Sequence, residues 1–337
     1  MRHRFFAHLL GQLGELSRQQ LGVLQQQVRA IGREGLVENL AVVETIETAR
    51  APALACPRCQ SNALYRHGRA HGLQRYRCRS CGRTFNCLTG TPLARLRHKS
   101  KWLDFCATLL DPATTVRRAA EQVAVHRNTS FRWRHRMLML PKLDRQLPLR
   151  GIVEADEMYV RESHKGARAL GRPPRKRGGV AGKRGISTEQ VCVLVARDRG
   201  GRTVDAVTGK GPVSAAQLRR HLAPVLDRDA LLVTNGHGHG HGHGAYRSFA
   251  HSAGISHQYV NLRAGERVRG AIHVRNVHAY HSRLRAWLRH FRGVATRYLD
   301  NYCGWRWAID GGRITSPAIL LSRAVQLCPT QFFNSEW

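Results

Sequence analysis

The chain has 337 residues, room for two or three compact domains. Its 55 lysines and arginines stand against 22 acids, a formal net charge of +33, which argues against a cationic ligand and for a polyanion, because basic side chains release the counterions of a phosphate backbone. No stretch approaches the length of a membrane span, and His8 and Gln12 interrupt the N-terminal apolar run before it becomes a signal segment, so a cytoplasmic, nucleoid-associated protein with no membrane contact is expected.

The charge is concentrated in residues 51–150, which carry 20 lysines and arginines but only the acids Asp104, Asp111, Glu121 and Asp144. Only seven of the 55 cations are lysine. Arginine suits bidentate contacts to phosphate and guanine, although a GC-rich genome produces the same bias without function.

Residues 1–50 read as a helical N-terminal segment. Ser17 and Gln20 form a capping-box pattern, and Leu21, Leu24 and Val28 recur at helical spacing. Residues 51–92 follow as a zinc ribbon. Cys56-Pro-Arg-Cys59 and Cys78-Arg-Ser-Cys81 have the double CxxC spacing of one tetrahedral zinc site. Four thiolates leave no open position, so the zinc is structural. It stabilises a small sheet whose own core is too slight to fold. Cys87 lies outside the spacing and reads as an ordinary thiol. With nine cysteines, an odd number, a disulfide framework is not indicated.

Residues 98–145 read as a helix-turn-helix DNA-binding region. Val116, Ala119, Ala120 and Val123 mark a first helix, a turn falls near Ala124–His126, and a second helix starts at Arg127–Asn128 with Phe131 and Met137 inward. The second helix of such a pair enters the major groove. Arg127, Ser130 and Arg134 share a face at i, i+3 and i+7, and with Asn128 they are the candidate base readers.

From Ile152 the pattern turns to strands: Ile152 to Val160, Val191 to Arg197, Thr203 to Val207, Ala230 to Thr234 and Ser256 to Leu262. Helices are expected over 214–226, Tyr246 to Ala253, and His273 to His290. The Gly-, Pro- and Arg-rich stretch 161–188 has no core-forming composition and reads as a basic loop. The alternating Gly-His run 236–244 reads either as a flexible repeat expansion or as a metal-binding tag. Trp287, Trp305 and Trp307 fit core positions better than DNA-stacking surfaces. Residues 311–337 are left as a C-terminal tail.

Residues 150–310 therefore read as an α/β core, an RNase H-like mixed sheet flanked by helices, with Asp156-Glu157 on its first strand. Several segments are similar to insertion-sequence transposases: Val153-Glu-Ala-Asp-Glu-Met-Tyr159, Ala245-Tyr-Arg-Ser-Phe-Ala250, His257-Gln-Tyr-Val-Asn261 and Gly265-Glu-Arg-Val268. So are His281-Ser-Arg-Leu-Arg-Ala-Trp287 and Gly293-Val-Ala-Thr-Arg-Tyr-Leu-Asp-Asn-Tyr302. The chain resembles the zinc-ribbon, ISXO-two-like group of DDE-type transposases over roughly residues 15–310. The resemblance implies metal-dependent cutting and joining of double-stranded DNA at the element's terminal inverted repeats and at the target, by a homo-oligomer.

Carried over residue by residue, the resemblance puts the first-strand carboxylate at Asp156. The second acidic position falls at Asn235, and the third, glutamate or asparagine in the group, at His278. The group's helix lysine corresponds to Arg285. Catalysis by a pair of Mg²⁺ or Mn²⁺ ions is what the resemblance implies, yet an amide carries no charge and imidazole suits softer cations. Two readings stay open: an enzyme that transfers DNA strands, with Asp227, Asp229 or Glu266 as candidate substitutes for the missing acids, and a DNA-binding remnant or repurposed regulator that has lost the chemistry. A zinc-ribbon regulator alone leaves residues 150–310 unexplained.

Overall fold

The computed structural model describes residues 8, 11–111, 114–139, 148–171, 173, 182–236 and 241–326, which fall into two compact units. The first spans residues up to Cys106 and takes in the chain from Leu321 onward; the second spans Ala107–Leu320.

In the first unit, helix α1 runs over Arg18–Arg50. Its start is the capping box read from the sequence: Gln20 N donates to Ser17 Oγ at 3.3 Å, and Ser17 N donates to Gln20 Oε1 at 2.9 Å. The anticipated Leu21, Leu24, Val28 stripe is not a buried face, since Leu24 and Val28 are exposed. The helix buries Val42, Val43 and Ile46 near its other end instead. Glu47 Oε1 there accepts from Gln74 N at 2.7 Å, which ties the helix to the ribbon.

The ribbon is an antiparallel sheet of β1 (Leu64–Ala70), β2 (Leu73–Cys78) and β3 (Thr84–Asn86) in that order. The cluster around the cysteines is small, Cys56, Cys78 and Phe85, with Leu54, Leu64, Tyr76 and Cys81 against them. So small a cluster needs an external constraint.

The second unit holds the core and the helix pair together, although the sequence had suggested separate regions at 98–145 and 150–310. Strands β4 (Ile152–Arg161), β5 (Gln190–Asp198), β6 (Thr203–Lys210), β7 (Leu231–Asn235) and β8 (Ser256–Val260) form one sheet in the order β6-β5-β4-β7-β8. Neighbours β4, β5 and β6 are antiparallel, whereas β4, β7 and β8 are parallel. A meander followed by two parallel strands on the far side of the first is the RNase H-like strand order. Parallel neighbours need crossover helices. These are α5 (Ala215–Leu222) before β7 and α6 (His241–Ala253) before β8.

Strand alternation sorts β4 between two cores. Val153 and Ala155 join Leu218, Leu222 and Phe249 under α5 and α6. Glu154, Asp156 and Met158 point the other way. On that side Glu154 and Asp156 meet helix α7 (Arg275–His290). Helix α8 (Thr296–Asp310) follows α7 and buries Trp305 and Trp307, as does α7 Trp287, so all three tryptophans are core residues.

Two expectations change here. The Gly-His run is helical from His241, while residues 237–240 lie outside the described residues. The tail contains helix α9, Pro317–Gln326, and residues 327–337 lie outside the described residues. Of the basic stretch 161–188, residues 172 and 174–181 are likewise outside; the described part beyond Arg161 has no helix or strand.

Candidate active site, zinc site and nucleic-acid interface

The four ribbon cysteines come together. Cys56 Sγ lies 3.6 Å from Cys81 Sγ and Cys59 Sγ 3.5 Å from Cys78 Sγ, and all four sulfurs are within 4.8 Å of one another. Sulfurs about 2.3 Å from a shared tetrahedral zinc would be about 3.8 Å apart. The cluster therefore fits one structural zinc held by Cys56, Cys59, Cys78 and Cys81. Cys87 is buried outside it, and burial pushes its thiol up to about 11.

Around Asp156 the arrangement differs. Parallel register pairs Ala155 with Thr234, which makes Asp156 and Asn235 the next neighbours across β4 and β7. From α7, His278 Nε2 reaches Asp156 Oδ2 at 3.0 Å, and His281 Nδ1 lies 3.8 Å from the same oxygen. Arg285 is exposed on α7 at the i+7 position from His278, along the same side of the helix. The fold thus gathers Asp156, Asn235 and His278 where the resemblance had put the three acidic positions.

The electrostatics follow from these contacts. The hydrogen bond with Asp156 raises the His278 pKa above its ordinary value. His281 is pushed down to about 4 by burial, so it stays neutral, and its Nε2 is buried without a hydrogen-bond partner. Asn235 Oδ1 is likewise buried with no partner.

Two carboxylates nearby are not free to help. Glu157 faces the opposite side of the strand, beside Tyr246, and burial followed by the charge of Asp156 pushes it up to about 7. Glu154 is wholly buried and fully engaged. It accepts from Asn276 N at 2.8 Å, Val277 N at 3.0 Å and Asn276 Nδ2 at 3.0 Å, and pairs with Arg199 Nη1 at 2.7 Å. A carboxylate on the first N–H groups of α7 satisfies donors that have no partner within the helix and complements its dipole. Glu154 therefore positions α7 against β4. Neither it nor Arg199, Asn276 or His281 was singled out from the sequence, although period-two alternation puts Glu154 on the face of Asp156 and i+3 spacing puts His281 beside His278.

Asp227 and Asp229 lie away from the site, whereas Glu266 is tied to the end of β8, the strand that pairs with β7 beside Asn235. Asp227 N bonds Leu149 O, just before β4 and roughly 20 Å of extended chain from Asp156, and its carboxylate pairs with Arg150. Asp229 follows in the same turn. Glu266 Oε2 accepts from Asn261 N at 3.2 Å. One carboxylate, an amide and two imidazoles do not fit a pair of Mg²⁺ ions, whose mutual repulsion several carboxylates must offset.

After helix α2 (Trp102–Leu110), the helix pair is α3 (Val116–Gln122) and α4 (Arg127–Met137), with the turn at Ala124 in a left-handed conformation. Arg127 and Asn128 are exposed, as a reading helix requires, but Ser130 and Arg134 are wholly buried. Ser130 Oγ donates to Val116 O at 2.9 Å, and Arg134 Nη2 to Thr114 O at 2.8 Å. The packed face of α4 runs through Ser130, Trp133, Arg134 and Met137, at i, i+3, i+4 and i+7, so charge alone misassigned it. The outward face carries Arg127, Asn128, Phe131 and Arg132, with Phe131 exposed rather than inward.

Among the described residues no helix is long and apolar enough to cross a membrane. Residues 148–307 match the ISXO2-like transposase domain family, and residues 53–82 match the InsA N-terminal domain family of zinc ribbons. An uncharacterized protein in transposable element ISH50 of Halobacterium salinarum is 30% identical over 253 residues, covering 73% of this chain and 82% of that protein. A chain of a pre-cleavage Mos1 transpososome aligns over 62% of this chain and 77% of its own length, at 15% identity and a TM-score of 0.21; the fold assignment rests on the strand order instead. With the ribbon and the core both matched and a relative aligned over most of its length, the chain belongs to the insertion-sequence transposases that carry an ISXO2-like domain.

Proposed function

We propose that this transposase binds the ends of its element as a homo-oligomer on nucleoid DNA in the cytoplasm, and that its phosphodiester chemistry, centred on Asp156, is severely impaired. The observation that carries the second half is the Asp156–His278 contact at 3.0 Å. The single free carboxylate of the site is paired with an imidazole where a second metal-binding acid is needed. The net charge of +33 and the outward Arg127, Asn128 and Arg132 support the first half. Arg285 sits on the same helix to hold a DNA phosphate near Asp156, and Glu154 fixes that helix. No two-metal step is assigned to the present residues.

The test is strand cleavage and joining on DNA carrying the element's own ends, in Mg²⁺ or Mn²⁺, for the wild type and the Asn235→Asp/His278→Glu double variant. Cleavage only by the double variant, at least about a hundredfold above the wild type, is the expected result; a shortfall of that size corresponds to about 2.7 kcal/mol of barrier. Wild-type cleavage that Asp156→Ala abolishes would show that other groups complete the site.

A further inference from the structure

A cavity of about 860 Å³ lies within the second unit, between the helix pair and the turn that joins α7 to α8. Its size is in the range of small-molecule sites, about 300–1,000 Å³. Arg117, Arg127, Lys165, Arg292 and Arg297 line it, and none of its lining residues is a carboxylate. Lys165 is fixed at the rim by its bonds to Phe291 O at 3.2 Å and Gly293 O at 2.9 Å.

At the base sits Arg134, with no exposed surface. One of its nitrogens is used by Thr114 O, while Nε and Nη1 are buried without a hydrogen-bond partner. Trp305 and Phe291 lie against the guanidinium, at 5.2 and 6.0 Å from its centre, and Tyr302 beside it offers a hydroxyl for a hydrogen bond but is a phenol, not a counterion. A guanidinium does not shed its proton, and a buried cation without an anion is strongly disfavoured. Unused donors of a buried cation, in a cavity walled by cations, match an anion supplied from outside.

The remaining wall is aromatic. His135 stacks on Tyr298 at 3.9 Å between ring centroids, and Phe131 meets both rings edge-on at 4.5 and 5.4 Å. Arg297 covers Tyr298 from 4.7 Å, whereas Phe131 is exposed. Phe131 is thus the open planar surface beside the anion site.

We propose that this cavity binds an unpaired nucleotide of a DNA strand, its phosphate against Arg134 and Arg297 and its base on Phe131. A base inside a duplex has both faces covered by its neighbours, so only an unstacked one offers a face to the ring. The assignment rests on the DNA-binding reading above and adds which part of the DNA is held, and by what.

Binding of fluorescently labelled oligonucleotides to the full-length protein tests it without cleavage. The probes are a flush-ended duplex, the same duplex with a short unpaired overhang, and that overhang made abasic. The wild type should prefer the base-bearing overhang to the flush end by about tenfold, within what stacking one base supplies. Phe131→Leu should reduce that preference to the abasic level. Arg134→Gln should remove the preference for both overhangs; because its side chain is buried, Arg297→Gln at the rim provides a second reading of the phosphate contact. Equal binding of flush and overhanging duplexes by the wild type, or a preference that survives Phe131→Leu and Arg297→Gln, overturns the proposal. Abasic and base-bearing overhangs binding alike would overturn its base contact. Failure of every probe to bind would sink the DNA-binding reading itself.

Discussion

The ribbon cysteines and the donors around Asp156 are both clusters that a metal would organise, and the chain treats them differently. The ribbon has all four ligands at zinc spacing and only a small hydrophobic cluster around them. The surroundings of Asp156 offer an amide and two imidazoles, yet the sheet and α7 are held by interactions that need no metal: Glu154 on the start of α7, Arg199 on Glu154, and the buried Tyr280 hydroxyl donating to Asp205 at 2.7 Å. Where a metal carries the fold, losing a ligand unfolds it. Where the frame stands without the metal, donors can change and leave the frame intact.

The largest effect expected from this contrast is in the ribbon. Cys78→Ser, or zinc removal by a chelator, should unfold residues 51–92, since a structural zinc contributes on the order of 10 kcal/mol. Bound zinc and protease sensitivity of the ribbon report it. If the ribbon stays protease-resistant without zinc, the contrast fails on its stronger side.

Next comes the frame. Glu154→Ala leaves the N–H groups of α7 and the Arg199 charge without their partner and should cost about 3–5 kcal/mol, seen as a lower denaturation midpoint. Asn235→Ala, in the same chain, should cost far less. Equal costs would mean that donors and frame are not separable.

Glu157 sharpens the point through pH. Its folded pKa of about 7 lies above the ordinary 4.5, so the folded state binds the proton more tightly. Stability is therefore highest below about pH 4.5 for this group, falls as pH rises towards 7, and is flat above. Glu157→Gln should raise stability at pH 8 by up to about 3 kcal/mol and flatten that slope. A Tm difference between variant and wild type that does not change from pH 4 to pH 8 would contradict it.

The smallest effect is on the DNA side. Arg132→Ala should weaken binding to any duplex by about 1 kcal/mol and lower the salt slope by about one. An unchanged slope would remove the outward face of α4 from the interface.

Much of this architecture was legible. Strand runs with apolar alternation, the Ser17–Gln20 box and the CxxC spacing each act locally, so their positions follow from neighbours in sequence. What escaped depends on packing across the fold. Arg134 looks like a groove reader by charge, but its helix face is chosen by Trp133 and Met137 and by the aromatic residues against it. Glu154 looks like one more acid near Asp156, and only the approach of α7, 122 residues later in the chain, shows what it does. Leu24 and Val28 have helical spacing without a partner surface to bury them.

The seating of the helix pair has one more consequence. Trp305 Nε1 of α8 donates to Leu109 O at 2.8 Å, and His135 of α4 stacks on Tyr298 of α8, so α4 is fastened to the body that carries Asp156. Such a molecule acts as a ruler. The distance from the outward face of α4 to Asp156 is set by side-chain packing, and the length of chain between them has no part in it.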